Sequence, residues 1–487
     1  MIWALLQHVG GQALTFVIYL TLAALLSPAD FGLLGLATVW TAFLGAFAEL
    51  GLGAALIQRR SLDPAHASST FVTNLALGGV LSLAGLVVSW PAAVFVHEPR
   101  LQPVLASLSV GFLLRAFGLT HAALAQRELR FRPLAVRDLI ANGVGGLSGI
   151  AIAASGGGVW SLVAVNLVAA GVGSALLWQL SSWRPSFALV SKSAIRDLWG
   201  FGANVLAFNV FKAAAQNLDR LIIGRLFGTI AVGYYSLASR IMLQPVATII
   251  GAMGVYFFPT VARAQHDPPA VAMQYRTIIK LSVAATVPIA VAGGILAPRL
   301  VPALLGSRWN AAGPLFLWLG VAAVCRGFFS PAGQLMKGLG HPGSMLGWSI
   351  IITGLTLAGL LGGGHWGLTG STIGFATAHV VGTPIVVGMC HRLLGFSGRD
   401  HMRAVAPALG LGVILAAALT GIAKLASTPV AVAAAGVVGI IGYVGAILKL
   451  EPQSREFLSW RMVEPIPNER TAAGRTSERL GLTNQSS

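Results

Sequence analysis

The chain has 487 residues, 55% of them hydrophobic and only 10% charged, with mean hydropathy +0.78 and a formal net charge of +17. A soluble protein would carry about 25% charged residues, and a transmembrane barrel would show alternating segments of about ten residues. Apolar runs near twenty residues, the length that crosses about 30 Å of hydrocarbon, recur instead, so the expected class is an all-α polytopic membrane protein.

Fourteen spans are predicted, at about 4–26, 33–57, 70–96, 101–126, 134–154, 159–181, 206–227, 229–257, 278–302, 312–336, 344–362, 366–390, 403–423 and 428–449. The N-terminal apolar run lacks a basic n-region and is too long for a signal peptide, so it is the first span. So abrupt a start points to a few native residues lying upstream. In span 2, Glu49 shares a helical face with Thr41 and Gly45. It reads as the ion-pair partner of a lumen arginine, with a protonatable coupling site as the alternative. Span 4 carries Arg115 near its middle. Asp138 and Asn142, beside Arg137 at the start of span 5, read as a helix-end feature, and Gly145 and Gly149 form a GxxxG packing surface. The glycine turns at 156–158 and 362–364 are tight connections, not phosphate loops, because no strand precedes them and no GK[ST] follows.

Polar residues then concentrate from Lys212 to Arg240. Lys212, Gln216 and Asp219 fall at i, i+4 and i+7, on one helical face, and Arg220 follows. Adjacent residues point apart, so a basic partner for Asp219 is expected on another span. Span 8 repeats the pattern with Ser236, Arg240 and Gln244, and span 10 with Arg326, Ser330 and Gln334. Cys325 and Cys390 lie in apolar spans and read as core residues. His8, His121 and His379 lack metal-ligand spacing and read as hydrogen-bonded residues between helices. No metal and no cofactor are expected. Trp3, Trp90, Trp160, Trp178, Trp183, Trp309 and Trp366 lie near span ends and read as an interfacial belt. The polar tail from Glu451 reads as disordered.

Loops after even-numbered spans hold sixteen Lys and Arg, against five after odd-numbered spans. That bias places both termini in the cytoplasm. Basic residues dispersed in this way exclude nucleic acid as a partner. The chain also repeats. Ser27–Thr38 (SPADFGLLGLAT) aligns with Gly228–Ser239 (GTIAVGYYSLAS), and Gly156–Leu162 (GGGVWSL) with Gly362–Leu368 (GGGHWGL). Spans 1–6 (residues 1–197) and 7–12 (198–392) are therefore two related lobes, running in the same direction about a pseudo-two-fold axis along the membrane normal. Residues 393–450 add spans 13 and 14, and 451–487 form the tail.

LLSPADFGLLGLATVW, AELGLGAALIQR, NLDRLIIGRLFGTIAVGYYSLASR and LLGSRWNAAGPLFLWL, in this order, resemble the polysaccharide exporters of the MOP superfamily, closest to the Wzx-type flippases. The resemblance implies two six-helix lobes in a V, MATE-like, around a central cavity working by alternating access. It implies a substrate of undecaprenyl-diphosphate-linked glycan, moved to the periplasmic leaflet of the bacterial inner membrane. A monomer with a working link to polysaccharide polymerase machinery fits that role. In related peptidoglycan-precursor flippases two further spans form a lipid groove, a role open to spans 13 and 14. The family usually has a few basic or polar residues before span 1, which this chain lacks.

Arg115, Lys212, Arg220, Arg240 and Arg326 are the candidate substrate-binding cations. Glu49, Gln216, Asp219, Gln244 and Gln334 are the candidate polar, ion-pair or coupling residues. Five cations left in lipid would cost about 12–17 kcal/mol at about 2.5–3.5 kcal/mol each, and two acids cannot neutralise five. Water or an anionic ligand is the natural complement. Each arginine could instead snorkel or anchor a helix pair. An ion-coupled multidrug exporter of the same superfamily is the alternative function, disfavoured because a pump for cationic drugs wants acids in its cavity. A glycan polymerase or ligase is disfavoured by short outward loops and the lack of any DxD motif.

Overall fold

The computed structural model describes residues 10–48, 53, 56–57, 62–191, 202–426 and 428–450. Trp3, His8, Glu49 and the tail from Glu451 lie outside the described residues. Within them every regular element is helical. The long helices are α1 Gly11–Leu25, α2 Pro28–Ala48, α3 Pro64–Val96, α4 Leu101–Arg127, α5 Phe131–Ala154 and α6 Val159–Leu180. Gly202–Arg263 runs as one stretch broken at Gly228, giving α7 (202–227) and α8 (229–263). There follow α9 Pro268–Leu305, α10 Gly313–Gly338, α11 Pro342–Gly363, α12 Gly367–Leu394, α13 Gly398–Leu425 and α14 Pro429–Leu450. Among the described residues, ten stretches, two of which join consecutive helices, are long and apolar enough to cross a membrane.

Local chemistry sets the helix ends. Asp63 and Asp267 each accept a first-turn backbone N–H ahead of a proline at the helix start, and Ser397 with Asp400 closes a capping box. The same device sits in the SPAD run. Ser27 donates its N–H (3.0 Å) and its hydroxyl (2.6 Å) to Asp30, and Pro28 opens α2. Gly228 has φ 80° and ψ −177°, a backbone state that favours glycine, and so α7 turns into α8 there.

Consecutive helices pair: α3 with α4, α5 with α6, α9 with α10 and α11 with α12. The expected GxxxG surface on α5 is present, Gly145 lying against Val165 and Gly149 against Val165 and Ser161 of α6. Helices α13 and α14 pack on α9.

The most extensive contact among the described helices sets α2 against the stretch containing α8. It is reciprocal. A Cβ on Gly32 would run into the carbonyl of Thr229, and a Cβ on Gly233 into the carbonyl of Pro28. These are the glycines that the internal repeat aligns. The largest buried core surrounds this crossing, drawing Leu33, Leu36 and Phe31 from one half and Val232, Tyr235 and Phe316 from the other. Trp309 belongs to it. Its side chain is fully buried and its Nε1 donates to the Ala23 carbonyl of α1 at 2.9 Å, so it is not part of an interfacial belt. Its neighbour Arg308 donates to the carbonyl of Ala24. Trp90, Trp160 and Trp366 are exposed, as expected of belt residues.

At the same end, the Thr229 hydroxyl donates to Glu98 at 2.8 Å, and Glu98 also binds Arg100 at 2.9 Å. The Arg100 hydrogen bond, helped by Thr229, holds the Glu98 carboxyl below the usual glutamate value. The folded pKa lies under the unfolded value of about 4.3. Its stabilisation is therefore present at neutral pH and is lost as pH falls through the folded value. Glu98→Gln is expected to lower thermal stability by a constant amount from about pH 6 to about pH 8, with the gap closing in stronger acid. A gap that persists unchanged in acid would show that the charge is not what matters.

Candidate functional site

A cavity of about 700 Å³ begins beneath the α2–α8 crossing. Its walls come from α1, α2, α7, α8, α10, α11 and α12, and it extends along α8 as far as Ala247. Seven of the ten expected residues line it: Lys212, Gln216, Asp219 and Arg220 from α7, Arg240 and Gln244 from α8, and Arg326 from α10. The i, i+4, i+7 spacing on α7 turns Lys212, Gln216 and Asp219 to the same side, as a single helical face requires.

Asp219 has a different partner from the one expected. Its carboxylate accepts from the hydroxyl of Tyr235 on α8 at 2.7 Å and from the Arg220 backbone N–H at 2.8 Å, not from a basic side chain. Tyr235 is fully buried. Arg220 makes one long hydrogen bond, to Asn217 at 3.4 Å, and its buried Nε has no partner among the described residues. Arg326 lies within electrostatic range of Asp219, Tyr235 and Arg220. Lys212, Arg220, Arg240 and Arg326 form no ion pair among the described residues. Four cations and one acid thus face a common space, an arrangement suited to a multiply charged anion.

Tyr235→Phe tests the Asp219 bond. Removing the donor leaves a carboxylate oxygen without its partner, which costs about 1–3 kcal/mol. The expected result is a thermal stability loss of that size, with a coupling energy above about 0.5 kcal/mol in a double-mutant cycle with Asp219→Asn. Additive effects of the two changes would dissolve the pair.

Arg115 does not line this cavity. It faces a second chamber, of about 470 Å³, between α1, α4, α5 and α6. Tyr19 and Arg240 line both spaces, and the Arg240 guanidinium lies 3.4 Å from the centre of the Tyr19 ring, a stacking cation–π contact. Gln334 lines neither cavity and lies against Gly254 of α8. Eight residues beyond Arg326, it has turned about 80° around the helix. Glu49 lies outside the described residues.

Several residues outside the expected cationic and polar set also line the cavities. Asp138 and Asn142, read as a helix-end feature, line the second chamber with Arg137 and Asn166. Their spacing of four on α5 puts them on one face, which is the clue that the chain position obscured. Arg137 binds Asp138 at 2.6 Å and donates from Nε to the Gly173 carbonyl at 3.1 Å. His379 lines the first cavity, bonded through Nδ1 to Phe375 at 2.9 Å and stacked on Phe329. His121 is packed among Phe71, Trp178 and Trp183, away from both cavities. Cys325 and Cys390 are buried thiols, as expected.

Comparison with known proteins gives a coherent picture. Residues 21–314 match the model of a family described as polysaccharide biosynthesis protein. A succinoglycan biosynthesis transport protein, ExoT of Rhizobium meliloti (strain 1021), is 27% identical over 72% of this chain and 70% of its own length. The lipopolysaccharide biosynthesis protein WzxC of Escherichia coli (strain K12) is 23% identical over 82% of each chain. Among solved structures, the lipid II flippase MurJ in an inward closed conformation superposes with a TM-score of 0.70 at 8% identity, covering 92% of this chain and 99% of that one. An inward-facing multidrug resistance MATE family transporter gives 0.64 at 16% identity, covering 78% and 95%. At these identities the structural likeness shows the fold.

Proposed function

The chain belongs to the polysaccharide biosynthesis protein family, among the Wzx-type transporters, and from that premise we propose that it is a flippase for undecaprenyl-diphosphate-linked oligosaccharide. The repeat unit, of an O-antigen, capsule or exopolysaccharide, passes from the cytoplasmic to the periplasmic leaflet of the bacterial inner membrane. The chain crosses fourteen times, with both termini cytoplasmic. Residues 1–197 and 198–392 act as two lobes in a V, and residues 393–450 flank the lipid tail.

The observation that carries this reading is the cavity itself. Lys212, Arg220, Arg240 and Arg326 face one space, and the single acid among them is engaged by Tyr235. A diphosphate headgroup supplies the missing negative charge, and the guanidinium forks suit its oxygens. The low dielectric of the walls strengthens the attraction. Gln216 and Gln244 offer hydrogen bonds to sugar hydroxyls. The α2–α8 crossing closes the periplasmic end, so the cavity is accessible from the cytoplasmic side. Rocking of the lobes parts that crossing and releases the headgroup on the other face. The sign of the charge separates this reading from a pump for cationic drugs.

The test uses the purified full chain in liposomes, with a fluorescent polyprenyl-diphosphate oligosaccharide in one leaflet. Transfer of the unchanged lipid to the other leaflet is the expected result. A lengthened glycan, drug efflux, or no transfer by folded protein would contradict it.

A further inference from the structure

The two chambers divide the basic side chains in a way that a single diphosphate does not account for. In the larger one, the single carboxylate of Asp219 offsets one of Lys212, Arg220 and Arg326, leaving two uncompensated positive charges besides Arg240. That is the charge of a diphosphate diester at neutral pH. In the smaller one, Arg137 is neutralised by Asp138 at 2.6 Å. Arg115 has neither an ion pair nor a hydrogen bond among the described residues, leaving one uncompensated charge. Arg240, stacked on Tyr19, stands at the boundary and belongs to both.

The smaller chamber has a lining that fits a sugar. Asn142, Asn166 and Thr15 line it with Arg115; Thr15 and Asn166 donate to the carbonyls of Gly11 and Leu162 and keep their oxygens as acceptors. Its size of about 470 Å³ falls within the range of roughly 300–1,000 Å³ usual for small-molecule sites. A lone guanidinium facing a polar, partly enclosed space is complementary to one planar carboxylate, which it can grip with two parallel hydrogen bonds.

We propose that the Arg115 chamber is a second anion subsite, which takes the carboxylate of an acidic sugar in the headgroup while Lys212, Arg220 and Arg326 take the diphosphate. This inference rests on the flippase reading and narrows its substrate to glycans bearing a carboxylate, such as a uronic acid. The Arg240–Tyr19 stack spans the sugar between the two charged ends. A neutral glycan leaves Arg115 facing the headgroup without an anion, and so is carried less well.

The experiment compares two probes in proteoliposomes of the full chain. Each is a polyprenyl-diphosphate disaccharide; one ends in glucuronic acid, and in the other the carboxylate is replaced by the CH₂OH of glucose. The wild-type protein is expected to transfer the acidic lipid about tenfold faster, equivalent to about 1.4 kcal/mol. Arg115→Gln is expected to bring that ratio close to one, and Arg115→Lys to restore part of it. Arg326→Gln is expected to slow both lipids alike and keep the ratio. A wild-type ratio near one, or equal slowing of both lipids by Arg115→Gln, would overturn the subsite while leaving the flippase reading intact. If neither lipid crosses with folded wild-type protein, the flippase reading falls and the subsite with it.

Discussion

Arg326→Glu is expected to abolish lipid transfer, lowering the rate at least about 100-fold, while the protein still reaches the membrane in normal amounts. Arg326 stands on α10 at the wall of the larger cavity, within electrostatic range of Asp219 and Arg220. Charge reversal there removes the charge-assisted contact we propose to the diphosphate, worth about 1.5–3 kcal/mol. It also sets a carboxylate against the incoming phosphate and against Asp219. Together these amount to about 3–5 kcal/mol, the scale on which one partner of a buried charged pair is removed. Every 1.4 kcal/mol is about a factor of ten. Arg326→Gln, which removes the charge without reversing it, should fall in between. Leaflet-resolved transfer assays measure both variants. Wild-type rates in Arg326→Glu would reduce this side chain to a structural anchor.

Gly233→Val should be as damaging by a different route. The valine Cβ would collide with the Pro28 carbonyl, and backbone cannot move aside as a flexible side chain can. Overpacking a tight core contact costs about 1–3 kcal/mol, and more where no rotamer relieves it. The collision also lies at the crossing on which the two halves meet, so separation of α2 from α8 is the available relief. The expected result is a marked drop in thermal stability of the purified protein and loss of transfer. Gly143→Ala on α5, where a Cβ meets nothing within 4 Å, serves as the control and should be unchanged. Equal stability of Gly233→Val and wild type would mean that the crossing is not closely packed in solution.

Much of this architecture is legible in the sequence because a membrane restricts the options. Backbone groups in hydrocarbon bond only within helices or closed barrels, so twenty-residue apolar runs translate directly into α-helices. The alignment of Gly32 with Gly233 pointed to two related halves. That these glycines touch each other's segments is a tertiary fact that no periodicity carries. The basic residues of α7, α8 and α10 are gathered as their helical spacing requires. The sequence could not show that Asp219 turns to Tyr235, because a buried tyrosine hydroxyl and a core tyrosine look alike in one dimension. Nor could it separate Arg115 from the other cations, since the partition depends on where Arg240 stacks on Tyr19. Trp309 misled for a similar reason. Its place near a span end suits an interfacial residue, yet its indole N–H finds Ala23 across the junction.

If the α2–α8 crossing opens and closes during transport, a reversible disulfide across it will stop the cycle. A Cβ on Gly35 would lie 3.7 Å from the Cβ of Ser236, close to the mean of about 3.8 Å in disulfides. Gly35→Cys/Ser236→Cys would be prepared with Cys325 and Cys390 replaced by alanine. The oxidised protein should transfer no lipid-linked glycan, and reduction should restore transfer. Full-rate transfer by protein shown to be crosslinked would contradict the account.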